Sequence, residues 1–404
     1  MTASNSKTVT SRLVLNFPGF EATDPSRQLE RLSANGNKFG EVWNVEFSEL
    51  DKVGEPENHL TVSNFHTKGE NWQTDTRLIQ FGWHDIIEKY EGQPYPQSFF
   101  TNFPKYLSFF ADGTVFRYFR THWRYGVFTV YPILAMIIFA IASYFAAGYI
   151  VNTIFGPSWI ASLSLTLLFV LILNKWPGDR FYMNLSINDW GFARDLAKQS
   201  NPFIESRYEE FAARITAEIK SSDHDEIVIV GHSFGTIWAV QALARVLRDN
   251  PGIIEHKQMT FLSLGSSLLK INLVPLANSM REMSKIVMSQ PNLLWDETQT
   301  HIDLIAFHGT EPNLTLDLAS PATEIHVDEV RFSRVMDKQR YRKMRKSFYR
   351  SHRQYIMYQD QRCHFDFFLK CFGPIPIRDL ARDAEKMNRI DIGGKLHEDP
   401  ISKA

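Results

Sequence analysis

Cysteine is nearly missing from this chain: among 404 residues only Cys363 and Cys371 carry a thiol. They stand close together with no metal-ligand pattern around them, which excludes a disulfide framework or a zinc module and fits a reducing compartment. Net charge is lacking as well, since 44 basic side chains face 45 acidic ones. No overall field therefore points to nucleic acid as a partner. The first residues, Met1 to Thr10, lack the charged start and apolar middle of a secretory signal. Internal repeats and low-complexity tracts are absent, and an apolar content of 44% excludes a mainly disordered chain.

The most informative absence is local, because no charged residue occurs between Arg124 and Lys175. Two apolar stretches fill that interval, Val127 to Val151 and Trp159 to Leu173. The first is long enough to cross about 30 Å of hydrocarbon as a helix, and the second reaches that length with its neighbours. Asn152 to Ser158 carries turn residues, which predicts a tight hairpin with Pro157 opening the second helix. Arg117, Arg120 and Arg124 before it and Lys175 and Arg180 after it put both flanks on one side, the cytoplasmic one. Two spans with no internal charge offer no polar pathway, which argues against a channel or transporter.

What is present begins with Gly231-His232-Ser233-Phe234-Gly235. This pattern follows the β-branched run Ile227 to Val230 and precedes a helical pattern from Thr236 to Arg248. Strand, sharp turn and helix together describe a nucleophile elbow, in which small residues flank a serine held clear of the backbone. A serine is a weak nucleophile at neutral pH, so it needs a histidine to take its proton and an acid to orient that histidine. Such partners follow the serine in chain order. The acid belongs in a loop after a strand beyond Gly265, which favours Asp303 or Asp296. The histidine belongs near the C-terminus, which favours His352 or His364. His232, inside the elbow, is expected to pack or hydrogen-bond rather than act as the base. For the oxyanion, the backbone N–H groups of Phe234 and of Gly19 or Phe20 are the candidates; Pro18 has none to offer.

Strands are expected over Arg12 to Phe17, Val42 to Phe47 and Phe261 to Leu264. Asp85 to Tyr90, Pro104 to Arg120 and Ile204 to Lys220 have helical patterns. Strands alternating with helices predict an α/β fold with a mostly parallel sheet. The organisation expected is an N-terminal part over 1–125, the hairpin over 126–174, a C-terminal part over 175–387 and a polar tail over 388–404.

Several short motifs occur here in one order: Gly19-Phe20, the elbow, Leu262-Ser263-Leu264-Gly265-Ser266, Trp295 with Asp303 beyond it, His352-Arg353-Gln354-Tyr355, and Asp366-Phe367-Phe368 with Gly373-Pro374. In these the chain resembles a group of bacterial membrane-associated, lipase-like α/β hydrolases. The resemblance covers most of the chain. It implies an α/β-hydrolase fold interrupted by the transmembrane hairpin, and a triad of Ser233, Asp303 and His352. Phe17-Pro18 precedes Gly19 where many hydrolases carry His-Gly, and Glu311-Pro312 stands where the group tends to carry Asp-Pro.

The expectation is thus a multi-pass protein of the bacterial inner membrane with a cytoplasmic serine-hydrolase domain, acting on lipid-like acyl esters without metal or organic cofactor. The same triad would serve a thioesterase, amidase or peptidase, and an inactive membrane scaffold is the alternative outside enzymes. One further feature is the run of ten basic residues from Arg331 to Arg353, interrupted only by Asp337. On a bilayer-bound protein it would meet anionic lipid headgroups; otherwise it is a solvated helix face.

Overall fold

The computed structural model describes residues 8–57, 59–316 and 321–401. Met1 to Lys7 of the expected polar N-terminus and 402–404 of the expected tail lie outside them. The chain is mixed α/β, built on one eight-stranded sheet. Its strands are β1 (Ser11–Phe17), β2 (Glu46–Glu57), β3 (Leu60–Lys68), β4 (Gln73–Phe81), β5 (Glu226–His232), β6 (Met259–Leu264), β7 (Leu293–Gln299) and β8 (Glu324–Glu329). They lie in the order β2-β3-β4-β1-β5-β6-β7-β8. Only β3 runs against its neighbours; every other adjacent pair is parallel.

Chain order reverses at the β1–β5 pair, where Phe17 stands beside Gly231. Crossovers leave in opposite directions from such a point and open a crevice at the carboxyl ends of the strands, the usual place for a ligand in parallel sheets. β1, β5, β6 and β7 are almost wholly buried; β5 reads as a continuous apolar run for that reason, whereas β7 buries Asp296, Glu297, Thr298 and Gln299.

Each face of the sheet has its own cover. On one, Val14, Leu78, Val228 and Leu262 pack with Leu29, Phe39 and Trp43 of the helix Pro25–Trp43 and with Phe368, Cys371 and Phe372. On the other, Phe17 stacks on Phe81 at 4.4 Å between ring centres, and both meet Phe211 of the helix Pro202–Ser221 edge-on. Phe211 in turn meets Trp238 of the helix Gly235–Asp249. At the edge of β1, Arg12 is fully buried and binds Glu226 through Nε and Nη2 at 2.9 and 2.7 Å, with Nη1 on the carbonyl of Gly373 at 2.7 Å.

Local chemistry explains where sequence and structure differ. The strand expected over Val42 to Phe47 begins only at Glu46, because the helix Pro25–Trp43 continues through Val42 and Trp43. Asn44 ends that helix at φ 54°, a left-handed cap that asparagine tolerates. Pro157 lies just before the second hairpin helix; Ser158 caps it, and the helix starts at Trp159. The segment after Asn388 does not hang free as a tail. Ile390 is buried and bridges to Leu396, and the indole of Trp72 donates to the carbonyl of Gly394 at 2.9 Å.

The chain divides into two units. One contains the sheet and comprises the described residues up to His84, Asn201–Asn272 and those from Ala277 on. The other comprises Asp85–Ser200 with Leu273–Leu276, so the interruption is larger than the hairpin expected over 126–174. Its extra residues build a core of their own around Trp190, whose ring is met by Phe109 at 5.0 Å, Tyr118 at 5.7 Å and Tyr106 and Tyr125 at 6.1 Å. From this unit come the helices Trp123–Ile154 and Trp159–Arg180, of 32 and 22 residues, joined by the turn 155–158. Both are long and apolar enough to cross a membrane, with mean hydropathy of 2.2 and 1.6, and only 11% and 6% of those apolar windows is buried within the protein. Side chains such as Ile138, Phe145, Leu163 and Leu171 face outward.

Candidate active site

At the end of β5 the chain turns sharply into the helix Gly235–Asp249. Ser233 sits on that turn at φ 57°, a left-handed conformation that a residue with a side chain adopts only under constraint. The constraint is visible on both sides of it. A Cβ on Gly231 would lie 2.5 Å from Thr236 Cα, and one on Gly235 would lie 1.9 Å from the carbonyl oxygen of Phe17. Neither position accepts a side chain, which is why small residues flank the serine. Backbone bonds lock the turn further: Ser233 N–H donates to Leu264 at 3.0 Å, and Ser267 N–H donates to Ser233 at 3.2 Å.

Asp303 lies in the loop after β7 and is fully buried. Its Oδ1 accepts from Ile305 N–H at 2.9 Å, and its Oδ2 accepts from His352 Nδ1 at 2.7 Å. His352 belongs to the short helix Phe348–Arg353 and is itself buried. With Asp303 on Nδ1, the lone pair of the neutral ring lies on Nε2, the arrangement a general base needs. That Nε2 is buried and makes no hydrogen bond among the described residues.

His232 ties the elbow to this pair. Its Nε2 donates to the carbonyl of His352 at 3.0 Å, and the two rings lie 5.0 Å apart. Burial, and secondarily the nearby His352, hold His232 down to a pKa of about 3, so it stays neutral. The structure shows it as a hydrogen-bond donor to the backbone of His352. Gly19 closes the other side, since a Cβ there would lie 3.1 Å from Ser233 Cβ and 3.0 Å from His232 Nδ1. Trp83 fixes that turn by donating to the carbonyl of Pro18 at 3.0 Å, and the Phe20 ring lies 5.9 Å from that of Phe234.

Ser233, Phe234, Gly19, Phe20, Asp303 and His352 therefore meet, with His232, at one corner of the sheet, at the carboxyl ends of β1, β5, β6 and β7. The serine and histidine are not hydrogen-bonded to each other. Ser233 Oγ instead lies 3.3 Å from Ser267 Oγ, where either hydroxyl can donate.

The rival candidates are engaged elsewhere. Asp296 forms a buried ion pair with Lys370 at 2.7 Å, and His364 Nε2 lies 2.7 Å from Asp328 Oδ2. Two residues at this corner carried no expected role, although Tyr355 stands in the motif His352-Arg353-Gln354-Tyr355. Ser267 follows the strand-end Gly265-Ser266, and Tyr355 stands three residues after His352, the spacing of one helical turn. Gly265, at φ 54°, leaves room for Tyr355 and Asp303: a Cβ there would meet the Tyr355 ring at 2.6 Å and Asp303 Oδ2 at 3.2 Å. Burial, and then the Asp303 charge, push the Tyr355 hydroxyl well above the usual range, so it remains a phenol.

No family model, no curated protein and no solved structure matches the chain. A functional reading therefore has to stand on the site itself. Among the described residues no group of three or more His, Cys, Asp and Glu side chains could hold a metal ion.

Proposed function

We propose that this chain is a membrane-anchored serine hydrolase of the α/β-hydrolase fold, similar to bacterial lipase-like hydrolases, that cleaves lipid-like acyl esters. Ser233 Oγ attacks the ester carbonyl while His352 Nε2 takes its proton. Asp303 holds the imidazole in the required tautomer and supports the imidazolium that forms. The backbone N–H groups of Phe234 and of Gly19 or Phe20 receive the oxyanion, and His352 returns the proton to the leaving alcohol. Water then repeats the sequence on the acyl-enzyme. The scheme calls for no metal or organic cofactor, and it would serve thioesters and amides equally.

The observation that carries this reading is the buried 2.7 Å contact of His352 Nδ1 with Asp303, beside a serine on a strained strand-to-helix turn. Anchoring in an inner membrane with a cytoplasmic hydrolase domain is supported by the two apolar helices and their basic flanks. The preference for lipid-like esters follows from that anchoring. A Gly156→Cys variant tests the topology, because Cys363 and Cys371 are both buried. An impermeant maleimide added outside spheroplasts should label it; labelling only after lysis would reverse the orientation.

The decisive experiment is fluorophosphonate labelling of the membrane-embedded protein in wild type, Ser233→Ala and His352→Ala, followed by an ester panel of increasing chain length. Labelling of wild type and its loss in both variants is the expected result. One observation favours a second reading, an inactive scaffold: Ser233 Oγ rests on Ser267 and not on His352. That reading predicts an unlabelled wild type, which would sink the hydrolase.

A further inference from the structure

The ten basic residues from Arg331 to Arg353 do not form an ordinary solvated face. Arg340 pairs with Asp360 at 2.9 Å, and Arg353 lies 3.7 Å from Glu21. The other eight are all exposed and form no ion pair among the described residues. They occupy one continuous segment containing the helices Lys338–Met344 and Phe348–Arg353. Asp337, the single acid in the run, is used as the cap of the first helix, accepting from Gln339 and Arg340 N–H at 2.8 and 3.0 Å.

Like charges three and four residues apart on a helix destabilise it, and solvated helices normally interleave acids to avoid this. Here no acid occurs from Lys338 to Arg353, although the whole chain is almost neutral. Cations have thus been concentrated on a surface where none of these eight gains an ion pair among the described residues; Arg345 lies over the Tyr341 ring at 5.9 Å. Such a band loses its self-repulsion when it meets an anionic surface. Half-buried Tyr341 and Tyr349 sit between the charges, amphipathic rings of the kind favoured at a headgroup layer. The same chain carries two helices able to cross a membrane, so a bilayer is the anionic surface it meets at the highest effective concentration.

We propose that the exposed basic face of residues 331–350 docks onto the phosphate headgroups of anionic membrane lipids. This docking is independent of whether Ser233 is a nucleophile. Its geometry does place Arg350 on the same helix as His352, so the docked segment and the proposed base move together.

The test uses the full chain in nanodiscs of phosphatidylcholine alone or with about 30 mol% phosphatidylglycerol. Acetylation by an N-hydroxysuccinimide ester is followed residue by residue at Lys338, Lys343 and Lys346, with exposed Lys220 as the reference. We expect these three lysines to react at least about threefold more slowly in the anionic discs, with Lys220 unchanged, and the protection to vanish in about 0.5 M NaCl. The combined R334Q, R342Q, R345Q and R350Q variant should lose the protection while retaining all three reporters. If that variant misfolds, the salt dependence of the wild type still decides. Equal rates in the two kinds of disc would overturn the proposal. So would protection in neutral discs by soluble glycerol phosphate, which would assign the site to free phosphate, or protection produced only by duplex DNA.

Discussion

Asp303 Oδ2 lies 2.7 Å from His352 Nδ1, with both side chains buried, so the imidazole is held in one tautomer by a residue 49 positions earlier in the chain. A carboxylate can only accept at that position, whereas an amide can donate and reverse the tautomer.

For Asp303→Asn we therefore expect ester hydrolysis to fall by about 10⁴-fold while the protein remains folded. Steady-state hydrolysis together with a thermal unfolding curve checks both parts. An unchanged rate would remove Asp303 from the machinery.

At the elbow, Gly235→Ala puts a methyl group where 1.9 Å separates it from the Phe17 carbonyl oxygen, a backbone atom that cannot rotate away. The strand β1 or the helix Gly235–Asp249 must shift. The expected outcome is loss of folded protein in the membrane fraction, or a folded remnant without fluorophosphonate labelling. Wild-type labelling in this variant would show that the turn is not built as described.

Removing one member of the Arg12–Glu226 pair leaves a buried charge without its partner. Glu226→Ala should cost about 3–5 kcal/mol of stability, read as a lower midpoint in urea. The double change Arg12→Met with Glu226→Leu should recover much of that loss, since two apolar side chains need no counter-charge.

Glu297 supplies a pH dependence. Burial raises its pKa from 4.5 to about 7, against the opposing pull of its bond from Trp295 Nε1 at 2.9 Å. The native state then binds more protons than the unfolded chain between these values, so this group lowers stability as pH rises from about 4.5 to 7 and adds no further change above. His232 acts in the other sense. Its native pKa of about 3 against the ordinary 6.5 means that stability is lost as pH falls below 6.5. Glu297→Gln removes the first effect and leaves the second. Relative to wild type it should gain stability progressively between pH 5 and pH 7, by about 3 kcal/mol at the upper end. A pH-independent difference between the two would show that Glu297 does not titrate in that range.

Features governed by neighbours in sequence were legible before any fold was known. The elbow is one, because a β-branched run, a small-residue turn and an amphipathic helix are each local. The apolar pair of helices is another, since length and missing charge alone make them suited to a bilayer. β3 and β4 were not legible. Thr61, Ser63, Thr67, Thr74, Thr76 and Gln80 are buried in them, and polar residues at core positions disguise the alternation of a strand.

By itself the sequence determined that a serine would stand on a tight turn after a strand, and that a charge-free stretch long enough for two apolar helices would interrupt the chain. Position along the chain left Asp303 or Asp296, and His352 or His364, open, and only the resemblance preferred Asp303 and His352, because acids and histidines far apart in sequence carry no local mark of their partners. Tertiary structure shows which of them pair with each other. Lys370 occupies Asp296 and Asp328 occupies His364, while the loop after β7 and the helix Phe348–Arg353 bring Asp303 and His352 together beside the elbow. Side-chain pairing over such separations is decided by how the sheet is ordered and covered, which no window of neighbouring residues encodes.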